Sequence, residues 1–322
     1  MSKKVIGIDL GGTSVKLAIL SAQGEIQKQW SIETNILNDG VAIVPDIIES
    51  IQEQIDLLNL SKEDFYGIGM GSPGKVDAQA KTVIGAYNLN WSSLQEVGKA
   101  FEQAFGLPFY IDNDANVAAL GEQWKGAGNG QPDVVMFTLG TGVGGGIVVD
   151  HQLVRGVAGT AGEVGHMVVD YDHGFDCTCG NKGCLETVAS ATGIVKLARK
   201  YSNEFAGDST IKARIDRGDQ VTAKDIFDAA KDSDKFSEHV VDQFARYLGI
   251  ATSHIANILN PSIIVIGGGV SAAGNYLLDK IDSYYRQYCF PQVRDVTKLK
   301  LATIGNDAGI IGAARLVPTD LD

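Results

Sequence analysis

The stretch from Glu163 to Glu186, EVGHMVVDYDHGFDCTCGNKGCLE, carries the densest set of metal-binding side chains in the chain. Three of the four cysteines, Cys177, Cys179 and Cys184, fall within eight residues, and His166 lies eleven positions before the first of them. Thiolates and imidazole at this density point to zinc, which takes four N and S ligands in a tetrahedron. His166 is the first candidate for the fourth ligand, with His173 and Cys289 as rivals. Four protein ligands close the coordination shell, so such a zinc is structural and not catalytic. Glu163 and Glu186 bracket the cluster. A metal knot that fixes two carboxylates reads as the support of a ligand pocket.

A second group with chemistry is Asp112-Asn113-Asp114-Ala115-Asn116, between an expected strand at Leu107–Ile111 and a helix from about Ala115 to Lys125. An acid at a helix start is a common cap, which accounts for one of these polar residues but not for three in a row. A carboxylate at a strand end can accept a proton from a substrate hydroxyl, a role that Asp112 and Asp114 both offer.

Glycine turns form the third group. Val5–Asp9 runs into Leu10-Gly11-Gly12-Thr13, and Val15–Leu20 follows. Run, glycine turn, run predicts a β-hairpin. Exposed N–H groups and the Thr13 hydroxyl can bind phosphate oxygens, and Asp9 can hold a hydrated Mg²⁺. Alone, the motif is equally a plain turn. It recurs, however, as Val134–Leu139, a glycine-rich turn with Thr141 and Gly142, and Ile147–Val149. Asp9–Gly12 aligns with Thr138–Thr141, and Ile19-Leu20 with Val148-Val149, at one offset of 129. The repetition predicts a duplicated domain whose two phosphate-gripping hairpins face each other across a cleft. Neither turn carries a Walker sequence or opens a GxGxxG–helix unit. A third glycine run, Gly267–Gly269, follows the strand-like Ile263–Ile266 and suits a nucleotide base or ribose lying against backbone. Gly74 ends a loop after the Phe65–Met70 strand, and Asn88 sits in a turn-rich segment whose amides suit a polyol or a simple turn.

The elements that must position these residues follow from periodicity. Residues 41–58 place Val44, Ile47, Ile48, Ile51, Ile55 and Leu58 on one helical stripe. Helices are expected at 92–105 and 188–201, a long one at 238–259 and a small apolar packing helix at about 306–316. The polar residues 202–237 read as a helical excursion on the surface. Strands alternating with helices give an α/β fold. At 322 residues there is room for two domains. A formal charge of −12 argues against nucleic acid and against anionic membrane surfaces. No run reaches the roughly 20 apolar residues that span a bilayer. The N-terminus lacks a cleavage pattern, and clustered cysteines without a secretory signal fit a reducing cytoplasm.

Taken together, DLGGT at 9–13, LGTGVGGG at 139–146, EVGH at 163–166, CTCGNKGCLE at 177–186 and IGGGVS at 266–271 resemble the ROK family of sugar kinases and repressors, particularly its bacterial, Gram-positive glucokinases. The likeness spans the chain. It implies a two-domain actin/hexokinase-like (ribonuclease H-like) fold with the active site in the interdomain cleft. The domains are expected at 1–112, joined by the C-terminal helix at about 306–322, and at 113–305 with the zinc motif. The resemblance implies Asp114 as the catalytic base. It places Gly74, Asn88, Asn113, Glu163, His166 and Glu186 at the sugar. Asp9, Gly11, Gly12, Thr13, Thr141, Gly142, Gly268 and Gly269 fall at ATP with its Mg²⁺, and His166, Cys177, Cys179 and Cys184 at structural Zn²⁺. The implied reaction is ATP-dependent phosphorylation of glucose to glucose 6-phosphate, the entry step of glycolysis, by a cytoplasmic homodimer. N-acetylmannosamine kinase, fructokinase and a non-catalytic sugar-sensing regulator are the alternatives. The regulator would need a helix-turn-helix ahead of the first hairpin, which begins at about residue 4.

Overall fold

Each glycine-turn hairpin starts a five-stranded sheet, and the two sheets have the same plan. The computed structural model describes residues 3–172 and 174–320, so His173 lies outside the described residues. In the first unit the strands are β1 (Lys4–Leu10), β2 (Ser14–Ser21), β3 (Ile26–Glu33), β4 (Phe65–Ser72), the short β5 (Lys75–Asp77) and β6 (Thr82–Ile84), and β7 (Phe109–Asn113). The sheet order is β3-β2-β1-β4-β7, with β5 and β6 pairing apart. β1 runs antiparallel to β2 and parallel to β4, which is parallel to β7. The second unit repeats this with β8 (Val134–Leu139), β9 (Val143–Val149), β10 (Gln152–Leu153), β11 (Ile263–Gly267) and β12 (Lys298–Leu301) in the order β10-β9-β8-β11-β12. β8 is antiparallel to β9 and parallel to β11, which is parallel to β12.

The single offset of 129 is corrected by the pairing register. Leu10 pairs with Val15, leaving four residues in the first turn, whereas Leu139 pairs with Val143, leaving three in the second. The offset is therefore 129 on the first strand of each hairpin and 128 on the second. A turn can lose a residue without disturbing the ladders on either side, because register depends on the paired strands and not on loop length.

Contacts divide the chain into one unit comprising residues up to Gly130, Leu153–Ala161 and the chain from Asn306 on, and another comprising Gln131–Gln152 and Gly162–Gly305. The division differs from the expected boundary after residue 112. The reason is packing around the Asp114–Lys125 helix. A methyl on Gly312 of the Ala308–Arg315 helix would collide with the Val117 carbonyl oxygen, and one on Gly121 with that of Ala308. A methyl on Gly69 of β4 would likewise meet the Ala313 carbonyl. Backbones this close bind the C-terminal helix, the 114–125 helix and the first sheet into one body, so Asp114 stands on the first unit.

The first core gathers Ile6, Ile8, Leu17, Ile47, Ile51, Ile68, Phe101, Phe109 and Trp91. Each fully buried side chain of this size contributes roughly 1.5–3 kcal/mol relative to exposure. Of the predicted stripe on the first long helix (Ile43–Leu57), Ile47, Ile51 and Ile55 are buried, Val44 and Ile48 are half-buried, and Leu58 is exposed beyond its end; Ile43, outside the stripe, is buried with them. The second core contradicts the reading of 202–237 as a surface excursion. Ile211, Val221, Ile226, Phe227, Ala230 and Phe236 all belong to it, packed with Val240 and Phe244 of the Lys235–Leu259 helix. Short helices at Thr210–Asp216 and Ala223–Lys231 hide few apolar residues among many charges, and average composition conceals them. The Asn275–Tyr288 helix and β12 carry no strong sequence signal and emerge only in the fold. Among the described residues no helix is long and apolar enough to cross a membrane.

Candidate active site

In the first unit, Asp114 opens its helix where β7 ends. Asn113 is the N-cap: its Oδ1 accepts from Ala115 N–H at 3.0 Å, an N–H that Asp114 Oδ1 shares at 2.8 Å. Asn113 Nδ2 donates to the Gly74 carbonyl at 3.3 Å, so the structure brings these two expected sugar residues together. Gly74 has φ +87°, and a methyl there would sit 2.8 Å from Ala86 N, which only glycine avoids. Asn88, two residues beyond the Ala86 that Gly74 abuts, sets its amide against Gly12 of the first glycine turn. Gly11 N–H donates to Ser14 O at 3.1 Å, the Gly11 carbonyl accepts from Thr34 Oγ1 at 2.7 Å, and Thr13 is exposed at the tip.

Burial raises the Asp114 carboxyl above its ordinary value, against bonds from the backbone N–H groups of Ala115 and Asp114 and from Asn113. The residue as a whole is exposed, so the upward push comes from the protein packed behind and around the carboxyl. Asp9, near the end of β1, is raised too. Burial is the main cause and repulsion from Asp114 adds to it, while Lys16 opposes it. Lys16 faces Asp9 across the hairpin and donates to the Asn306 carbonyl at 3.1 Å. A methyl on Gly309 would lie 2.5 Å from Asp9 Cγ, so the first turn of the Ala308–Arg315 helix abuts the carboxylate. Two carboxylates that feel each other and resist ionisation are suited to a cation and a proton acceptor.

In the second unit, His166 Nδ1 is 3.6 Å from Cys177 Sγ, and Cys179 Sγ is 3.7 Å from Cys184 Sγ. One ligand atom from each of the four residues falls within 4.8 Å of the others. A tetrahedron with Zn–S near 2.3 Å and Zn–N near 2.0–2.1 Å has edges of roughly 3.5–3.8 Å, so this donor set fits a closed zinc shell. The free thiols are pulled apart: Cys179 drops to about 7 through the Asn181 N–H, whereas burial lifts Cys184 to about 12. Cys289, the rival ligand, is buried away from the cluster with its thiol 3.3 Å from Asn257 Oδ1. The other ring nitrogen of His166, Nε2, lies 3.9 Å from Glu163 Oε2. One nitrogen is thus turned to the thiols and the other to the carboxylate. Glu186 Oε2 accepts from Val143 N–H at 3.2 Å, and a methyl on Gly142 would collide with it. This expected sugar ligand therefore rests on the second glycine turn.

That turn is pinned by Ala191 N–H to Gly140 O and Thr192 Oγ1 to Thr141 O, both at 2.8 Å. Thr141 and Gly269 line one cavity of about 400 Å³ with Phe227, Asp228 and Lys231, a volume within the range of small-molecule sites. Gly268, with φ +80°, sits just behind it, where a methyl would approach the Leu139 backbone to 2.6 Å. Sequence reasoning missed the cavity wall at Phe227–Lys231, which lies in the segment assigned to the surface. It also missed Lys16, which a count of hairpin pairs outward from the turn places opposite Asp9.

The ROK family pattern matches residues 5–320. A glucokinase of Halalkalibacterium halodurans is 45% identical over 97% of this chain and 94% of that protein. A ROK hexokinase from Thermus thermophilus superposes with a TM-score of 0.82 at 28% identity, over 98% of this chain and 97% of that one. A ROK glucokinase from Streptomyces griseus, solved with glucose and AMPPNP, gives 0.74 at 33% identity, over 98% and 99%. With its motifs, its paired sheets and a match along nearly its whole length, the chain belongs to the ROK family.

Proposed function

We propose that this protein is an ATP-dependent glucokinase that transfers the γ-phosphoryl group of ATP to the 6-hydroxyl of glucose. The observation that carries the reading is Asp114, a raised carboxyl held at a capped strand–helix junction, in a chain 45% identical to a glucokinase over nearly its full length. Asp114 accepts the hydroxyl proton as the oxygen attacks phosphorus. Transfer of this kind is loose and in line, so positioning and charge neutralisation outweigh base strength. Asn113, Gly74 and Asn88 position the sugar beside Asp114. Glu163, Glu186 and His166 Nε2 accept or donate hydrogen bonds to its hydroxyls, each of which costs about 1–3 kcal/mol if buried unpaired. The turns at Gly11–Thr13 and Thr141–Gly142 offer N–H groups to the phosphates, and Gly268–Gly269 back the nucleoside. Asp9 supplies hard oxygen donors for Mg²⁺, which when bound neutralises the β- and γ-phosphate charge. His166 Nδ1, Cys177, Cys179 and Cys184 hold Zn²⁺, whose contribution is to fix Glu163, His166 and Glu186. The reaction supplies the entry step of glycolysis.

We also propose a cytoplasmic homodimer that binds neither nucleic acid nor membrane. The net charge of −12 supports the latter, and the exposed Ile258 and Phe290, drawn together where Phe290 N–H meets Asn257, offer an apolar face for the former. A coupled ATP assay across glucose, mannose, fructose, N-acetylmannosamine and N-acetylglucosamine tests the function. Glucose gives the highest kcat/KM; preference for another sugar reassigns the substrate, and no turnover with any of them removes the kinase reading.

A further inference from the structure

We propose that Arg155 is a positioning residue for the Asp114 base, acting through the buried carboxylate of Asp112. The inference rests on Asp114 being that base. Asp112, next to last in β7, is almost fully buried, at 5% side-chain exposure, and its Oδ2 accepts from Arg155 Nε at 2.6 Å. Its Oδ1 accepts two further bonds, from Asn113 N–H at 2.9 Å and from Asn116 Nδ2 at 2.7 Å. One carboxylate therefore ties the N-cap residue to the first turn of the helix, and Asp114 lies between those two anchors, directly after Asn113. The Asn116 Oδ1 is buried with no hydrogen-bond partner, so its amide takes its orientation from Asp112.

Arg155 supplies the countercharge that this buried carboxylate faces. Stripped of its cation, a buried carboxylate turns toward water. That turn weakens acceptance at Oδ1 and frees the Asn113–Asn116 turn, and the Asp114 oxygen moves with it. The guanidinium itself reaches the surface, at 41% exposure. It stands on the Leu153–Ala161 segment, where the Arg155 carbonyl accepts from Ala161 N–H at 3.0 Å and Gly159 lies beside the Val76 carbonyl. A pair that only stapled this segment would affect melting and leave turnover alone. A residue that touched sugar directly would affect KM.

The test compares full-length wild type, Arg155→Met, Asp112→Asn and the double variant by coupled ATP–glucose assay, glucose calorimetry and thermal melting. Displacing a reacting group by about 1 Å costs up to roughly 100-fold, so Arg155→Met is expected to lower kcat by about 10- to 100-fold while glucose KM stays within about threefold. In the Asp112→Asn background no buried charge remains to be neutralised, and Arg155→Met then costs less than about threefold. The inference is overturned by unchanged kcat with a lower melting temperature, by a rise confined to KM, or by equal losses in both backgrounds. Should Arg155→Met fail to fold, Arg155→Lys and Arg155→Gln carry the comparison: Lys, which keeps a cation, retains the higher kcat, and equal kcat values sink the idea. Asp114→Ala runs beside them. If that variant still turns over, the assignment of the base fails, a result distinct from any outcome at Arg155.

Discussion

Gly309→Ala isolates the part Asp9 plays. Gly309 sits in the first turn of the Ala308–Arg315 helix, and an added methyl carbon would stand 2.5 Å from Asp9 Cγ, 2.6 Å from Oδ2 and 2.8 Å from Oδ1. These distances are 0.6–0.9 Å inside the 3.4 Å at which ordinary contact begins. The helix cannot retreat, because its own glycine, Gly312, is already in backbone contact with Val117. The carboxylate must move by close to 1 Å instead. For stability two terms oppose: overpacking costs about 1–3 kcal/mol, and replacing glycine by alanine in a helix returns about 1 kcal/mol. The net loss is then about 0–2 kcal/mol, small enough to leave a folded enzyme. For catalysis, a metal-holding carboxylate displaced by about 1 Å costs on the order of 100-fold in kcat. The assay is glucose-dependent ADP release at saturating sugar with Mg²⁺ titrated, alongside thermal melting. The expected variant melts within a few degrees of wild type, turns over on the order of 100-fold more slowly, and needs more Mg²⁺. Wild-type kcat and Mg²⁺ dependence in a folded Gly309→Ala protein would refute both the role of Asp9 and the rigidity assigned to the helix.

Three further perturbations separate chemistry from scaffold. Because burial raises the Asp114 carboxyl, its ionised form is disfavoured by folding: the contribution is most favourable below the ordinary carboxylate value near 3.9 and is lost as pH rises through the raised pKa. Asp114→Asn should therefore abolish turnover yet melt higher than wild type at pH 7, with the gain vanishing below about pH 3; the wild-type kcat/KM profile should fall on its acid side above the ordinary carboxylate value, and a profile flat down to pH 4 would argue against this base. Chelation of zinc, or Cys177→Ser, should raise glucose KM and lower the melting temperature, with about one zinc per chain in the native protein by metal analysis; zinc-free protein of full stability and affinity would remove the metal. Gly268→Ala combines a left-handed φ with a 2.6 Å approach to the Leu139 backbone, so a loss of at least about 1–3 kcal/mol is expected from chemical denaturation, together with a higher KM for ATP; an unperturbed variant would show that the loop relaxes freely.

The local chemistry of this protein is written in the order of its residues. The Cys177–Cys179–Cys184 spacing with His166 marks a candidate metal set because thiolate density is rare outside such sites. The glycine hairpins offer N–H groups for phosphates and the Asp112–Asn116 run a carboxylate for proton transfer, and few residue types perform either. Strand and helix positions were legible wherever apolar periodicity is strong, as in β8, β11 and the Lys235–Leu259 helix. Tertiary structure alone decided what depends on residues distant in the chain. The Arg155–Asp112 pair joins positions 43 apart, Gly309 meets Asp9 across almost the full length of the chain, and Phe227 becomes a wall of the cavity at Thr141. The division between units moved past the Asp114–Lys125 helix for the same reason: glycine-to-carbonyl packing with the C-terminal helix, which no local pattern of polar and apolar residues encodes. Residue type and near spacing fix what a side chain can do, whereas burial, countercharge and steric room are set by neighbours that only folding supplies.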